Sequence, residues 1–173
     1  MASVSCAPEP TYEPIGVAPA GSAPGLHANV SPDGRTHVLV FSPGDEVLSG
    51  IAEYAKTNGL VGASFSGIGS FAKARLGAYD PSKHAYRVIP LDEPLEVVSF
   101  TGNVSTLVEK GGEPSVHAHV VVGLLDGTTR GGHLLSGEIS LTLEVFVTDL
   151  GTELPKQPDD DLGIQSLRPT AAR

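Results

Sequence analysis

From Glu138 to Val147 the chain reads EISLTLEVFV, in which Ile139, Leu141, Leu143, Val145 and Val147 alternate with Glu138, Ser140, Thr142 and Glu144. Successive side chains of a strand point to opposite faces, so this period of two dictates an extended segment with one buried and one wetter face. The stretches LVGASFSGIGSF, ARLGAYD, AYRVIPL, LEVVSFTGNVS and SVHAHVVVG, with Thr36 to Phe41 before them, also read as strands bounded by turn residues. One stretch departs from this pattern. Val47, Leu48, Ile51, Ala52 and Ala55 recur as a helical stripe, Asp45 and Glu46 sit where negative charge suits a helix N-terminus, and Gly59 stands where a helix stops. So little helix among so many strands argues against parallel βαβ winding. The expected fold is α+β, a largely antiparallel β-sheet with one or two helices packed on it.

A chain of 173 residues is sized for one such domain. Residues 1–30 hold Pro8, Pro10, Pro14, Pro19 and Pro24 among Ala, Ser and Gly, a composition that buries little apolar surface, and are expected to form a disordered arm. The folded domain is expected over 31–155 and a C-terminal tail over 156–173, with Asp159, Asp160 and Asp161 in a solvated loop and not a cation site. Cys6 has no second cysteine to pair with and is expected to be incidental. The opening MASVSCAPEPTYEPIG has no basic n-region and no apolar run, and no segment approaches the roughly 20 apolar residues of a membrane span. A cytoplasmic location is the expectation.

Charge and composition narrow the chemistry. Eleven basic against twenty acidic residues give a net charge of -9, which repels a phosphate backbone. With no Trp, four Tyr and five Phe, stacking platforms for single-stranded nucleic acid are scarce. GIGSF and GGH lack the phosphate-loop lysine and the dinucleotide spacing, and no Ser or Cys lies in a nucleophile elbow.

The stretch VHAHVVVGLLDGTTRGGH, residues 116–133, carries three of the six histidines. In a strand His117 and His119 share one face, while Val116, Ala118, Val120 and Val122 share the other and can pack into a core. Two adjacent imidazoles can converge on one ion. Asp126-Gly127 is a turn signal, and the turn's length decides where His133 falls. A three-residue loop over Leu125 to Gly127, with Gly127 left-handed, sets His133 opposite His119. A two-residue turn sets it opposite Val120, on the wrong face unless a bulge at Gly131-Gly132 re-aims it. Three neutral imidazoles suit Zn, Ni, Cu or Fe and leave a position open for water or substrate. Glu144, Glu138 and Asp126 are the candidates for a general base or for a group that orients an imidazole. His27, His37 and His84 are expected to be ordinary surface residues.

GASFSGIGSFAKARLGAYDPSKHAYRVIPLDEPLEVVSFTGNVS followed by VHAHVVVGLLDGTTRGGHLLSGEISLTLEVFV resembles the plant-and-prokaryote conserved (PPC) domain family, in the ordered set of G-x-G, TGN, HAH, GGH and a late strand Glu. The resemblance covers about residues 35–150, and DDDLGIQSL is similar to that family's C-terminal ending. It implies a PPC-like α+β domain, a homotrimer, and a metal site, zinc foremost, made by His117 and His119 of HAH and His133 of GGH. Plant members join the domain to AT-hook segments with an Arg-Gly-Arg core that contact DNA; this sequence has no such segment, and DGR at Asp33 to Arg35 is no substitute. The leading functional expectation is a metal-binding homotrimeric protein acting as a regulator or ligand sensor. A DNA-associated regulator and a metal-dependent hydrolase are the alternatives, and the residues leave open whether any catalysis occurs.

Overall fold

A computed structural model describes residues 9–16 and 20–169. Cys6 lies outside the described residues. In chain order the strands are β1 (Tyr12–Pro14), β2 (His27–Val30), β3 (Thr36–Phe41), β4 (Ala63–Asp80), β5 (Ala85–Leu91), β6 (Leu95–Leu107), β7 (Glu113–Gly123), β8 (Thr129–Asp149), β9 (Pro155–Asp159) and β10 (Ile164–Leu167); helix α1 (Val47–Asn58) follows β3. The strand order is β1-β5-β4-β6-β7-β8-β3-β2, with β9 and β10 attached at β6. Neighbours pair antiparallel except β6 and β9, so the expected strand-rich α+β fold, with a single α-helix among the described residues, is what forms.

The long strands β4 and β8 also pair with each other, from Ala63 opposite Asp149 to Gly77 opposite His133. Because β4 also pairs with β6, β6 with β7 and β7 with β8, these four strands close into a ring. Its interior is filled by Phe65, Phe71, Leu76, Phe100, Val120, Leu134 and their buried neighbours. Helix α1 contributes Val47, Leu48, Ile51 and Ala55 to the same core. Glu46 caps it by accepting from Ser49 N at 2.7 Å, and Gly59 ends it with φ 68°, the left-handed conformation that glycine adopts without strain. The other Glu46 oxygen accepts from Gly137 N at 3.1 Å, which ties the helix start to β8.

Three sequence expectations need correction. Within the supposed arm, Tyr12–Pro14 pairs with β5 and His27–Val30 with β3; within the supposed tail, β9 adds to β6 and β10 to β9. These short strands gain backbone pairing from an existing sheet edge, which composition alone does not reveal. Second, LVGASFSGIGSF and ARLGAYD belong to the one strand β4, bent by irregularities instead of broken by a loop. Third, Leu141 is 74% exposed although its alternation partners Ile139, Leu143, Val145 and Val147 are buried. Between Gly69 opposite Leu143 and Phe71 opposite Ile139, β4 advances by Ser70 alone while β8 inserts Ser140, Leu141 and Thr142. The bulge keeps the inward phase on both sides and rolls Leu141 out, with its N–H donating to Ser70 Oγ at 3.1 Å.

Candidate metal centre

The β7–β8 hairpin takes the three-residue form. Leu124 N donates to Thr128 O at 2.9 Å, Gly127 has φ 79°, and His119 pairs with His133. On β7 the inward residues Ala118, Val120 and Val122 are buried, so His117 and His119 stand on the outer face of the ring, where His133 of β8 joins them. The ligand nitrogens of the three all lie within 4.8 Å of one another, and the ring centroids are 5.2, 5.1 and 5.4 Å apart.

Neighbouring strands build the walls. Tyr86 of β5 stacks on His133 with centroids 4.5 Å apart and planes 9° from parallel. The stacking depends on Gly77, opposite His133 on β4, where a Cβ would come within 2.8 Å of Tyr86 Cδ1. Asn103 of β6 lies opposite His117, and its Oδ1 is buried without a hydrogen-bond partner. Ser115 precedes His117 by two residues on the same face and accepts from the buried Lys156 Nζ of β9 at 3.3 Å. The exposed side, at His119, opens onto a hollow of about 190 Å³ lined also by Thr101, Gly131 and Gly132.

The residues present fit a transition-metal ion. Zinc holds nitrogens at about 2.0–2.1 Å, which places ligands roughly 3.3 Å apart, so the observed group needs to close by no more than about 1.5 Å. His133 Nδ1 is buried with no hydrogen-bond partner, an orphaned ring nitrogen of the kind an ion satisfies. Burial above all, with the Lys156 charge and the neighbouring imidazole adding to it, holds His117 down to about 4 from 6.5. Burial, then His117, His119 and Lys156, holds His133 down to about 4 as well. Both rings are therefore neutral at pH 7 and ready to ligate.

The same shifts predict a pH dependence. An unfolded chain binds protons at these histidines near 6.5 while the folded protein resists until about 4, so the unfolded state holds more protons within that window. Metal-free protein is expected to lose stability as pH falls from about 6.5 to about 4 and then to level off with respect to these two groups. Melting temperatures measured across the window in the presence of a chelator check this, and a flat profile contradicts it.

The carboxylates singled out in the sequence are employed elsewhere. Glu138 forms an ion pair with Lys73 at 2.8 Å, and Asp126 Oδ1 accepts from Thr128 N at 2.9 Å inside the hairpin turn. Glu144 is exposed and lies opposite Val40 of β3 and Ile68 of β4. None of the three belongs to the histidine group. Of the other histidines, His27 and His84 are exposed as expected, but His37 is only 6% exposed, with Nδ1 2.9 Å from the Tyr54 hydroxyl. It shares the inward face of β3 with Leu39 and Phe41, and that alternation was the signal for its burial. Tyr86 and Lys156 carry no local motif; only cross-strand pairing brings them to the site.

A family model, the Plants and Prokaryotes Conserved (PCC) domain, matches residues 28–151. The chain belongs to this family. Among curated proteins, the bifunctional protein GlmU of Synechococcus sp. (strain JA-3-3Ab) is 29% identical over 136 residues. That match takes in 77% of this chain, which spans only 20% of the longer protein. A plant- and prokaryote-conserved protein of Pyrococcus horikoshii is 31% identical, with a TM-score of 0.72 over 86% of this chain and 98% of that one. A metal-containing protein of Archaeoglobus fulgidus is 32% identical, with a TM-score of 0.71 over 83% and 98%. A Ralstonia eutropha protein described as a candidate DNA-binding protein is 27% identical, with a TM-score of 0.75 over 83% and 96%. The PCC match takes in β3 through β8 and all of β2 but its first residue, and hence all three histidines.

Proposed function

We propose that this PCC-domain protein binds one divalent transition-metal ion, zinc foremost, through His117, His119 and His133, and that it works in the cytoplasm as a homotrimeric regulator or ligand sensor. The observation that carries this reading is the convergence of three imidazoles within 4.8 Å on a rigid sheet, with a buried ring nitrogen left unpartnered. The metal-containing Archaeoglobus relative supports it. An ion held by three neutral imidazoles offers Lewis acidity and an open position for a ligand. Self-association is supported by an apolar outer face: Ile68, Val98 and Phe146 are 59%, 58% and 47% exposed around a hollow of about 310 Å³. Contiguous exposed apolar surface of this kind marks interaction sites.

No helix among the described residues is long and apolar enough to cross a membrane. Association with DNA is the second reading, favoured by the description of the Ralstonia relative and opposed by the net charge of -9. A metal-dependent hydrolase would need a base other than Glu138, Glu144 or Asp126. The test is X-ray absorption of zinc-loaded protein together with its mass in solution. The expected result is three imidazole nitrogens at about 2.0–2.1 Å and a mass three times that of the 17.8 kDa chain. Fewer than three imidazoles would overturn the site, and a monomer would overturn the assembly.

A further inference from the structure

Lys156 is only 7% exposed, yet the ion pairs formed among the described residues are Lys73–Glu138, Arg75–Glu13 and Arg168–Asp159, and none involves it. Its ammonium group donates to Ser115 Oγ at 3.3 Å. A neutral hydroxyl does not balance a charge withdrawn from water, and burial accordingly pushes the Lys156 ammonium towards its neutral form, so the charged form lacks a partner that would hold it. Ser115 sets the location. It stands two residues from His117 on the same face of β7, roughly 6.5 Å along the strand. Lys156 is close enough for its charge to oppose protonation of both His117 and His133.

The histidine group includes no carboxylate. A divalent ion on three neutral imidazoles would therefore stand beside a buried ammonium with no negative charge from its own ligands. Such a site is electrostatically incomplete, and a bound anion would complete it while favouring the charged form of Lys156. The hollow at His119, walled by Thr101 and by Gly131 and Gly132, leaves the approach open on the exposed side.

We propose that the metal centre and Lys156 together bind a small oxyanion, one oxygen taking the ion's open position and another meeting the Lys156 ammonium group. This inference rests on the metal reading above. A carboxylate and a phosphate share the required chemistry, so the experiment carries an arm for each.

Cobalt(II)-loaded protein is titrated at constant ionic strength with acetate and, separately, with inorganic phosphate, while the visible absorption of the ion is followed. The wild-type chain shows a saturable spectral change with at least one of the two, and that response identifies the oxyanion. Lys156→Met weakens the response by about tenfold or more, as loss of a charge-assisted hydrogen bond requires, whereas Lys156→Arg stays within about threefold of wild type. An anion affinity equal in Lys156→Met and wild type overturns the proposal. A wild-type spectrum indifferent to both anions also overturns it, without recourse to any variant. A chain that takes up no cobalt overturns the metal reading itself, whereas a cobalt-bound chain that ignores anions removes the role of Lys156 alone.

Discussion

Gly102→Ala is expected to destabilise the protein by about 3 kcal/mol or more, roughly 10 °C in melting temperature for a chain of this size. Gly102 pairs with Ala118 across the β6–β7 ladder, between the partners of His117 and His119. An added Cβ would lie 2.1 Å from the backbone oxygen of His117 and 2.4 Å from Cζ of Phe65. Neither neighbour can step aside. The oxygen moves only if β7 moves, and Phe65 is buried against Phe100 with ring centroids 5.1 Å apart. Relief therefore has to come from parting the strand that carries two of the three imidazoles, so the variant should lose metal affinity together with stability. Thermal melting of metal-free protein measures the first effect and zinc titration the second. A melting temperature within about 2 °C of wild type would show that the ladder yields more easily than its geometry implies.

Much of the site was legible in the sequence because its determinants are local. The His-x-His spacing places two rings on one face wherever the segment is a strand, and Asp126-Gly127 offers the left-handed residue that a three-residue hairpin requires. The residues alone leave the turn length open between two and three, and the three-residue form that the chain adopts is what sets His133 opposite His119. The helix could be read for the same reason, since its stripe, its acidic cap at Glu46 and its stop at Gly59 are consecutive features.

What escaped the sequence is set by distant pairings. Tyr86 reaches His133 only because Gly77 faces His133 across β4 and leaves space for the ring. Lys156, within a segment read as a tail, is placed by a parallel pairing of β9 with β6 for which no local signal exists. Leu141 misled because strict alternation carries no mark of an insertion, and the bulge depends on which β4 residues it faces. The three acidic candidates misled for a simpler reason. Proximity along the chain does not place a carboxylate near a metal when the strand carries it on to other partners, as Lys73 does for Glu138 and the hairpin turn for Asp126.

The second large effect concerns the histidines themselves. Zinc bound by four ligands in folded sites is held by about 10–16 kcal/mol, on the order of 3 kcal/mol per ligand, so removing two ligands should weaken binding about 10⁴-fold. His117 and His119 both point away from the core, and their removal creates no interior cavity. The double variant His117→Ala/His119→Ala should therefore fold and yet lose the ion, whereas His27→Ala/His84→Ala, which alters two exposed histidines outside the group, should keep it.

Metal content per chain, measured after zinc loading and exhaustive dialysis of wild type and the His117→Ala/His119→Ala variant side by side, bears most directly on the claim that three imidazoles share one ion. One ion per wild-type chain and none in the folded variant is the predicted result. An equal metal content in the two proteins, or a wild-type chain that leaves dialysis without zinc, would contradict it.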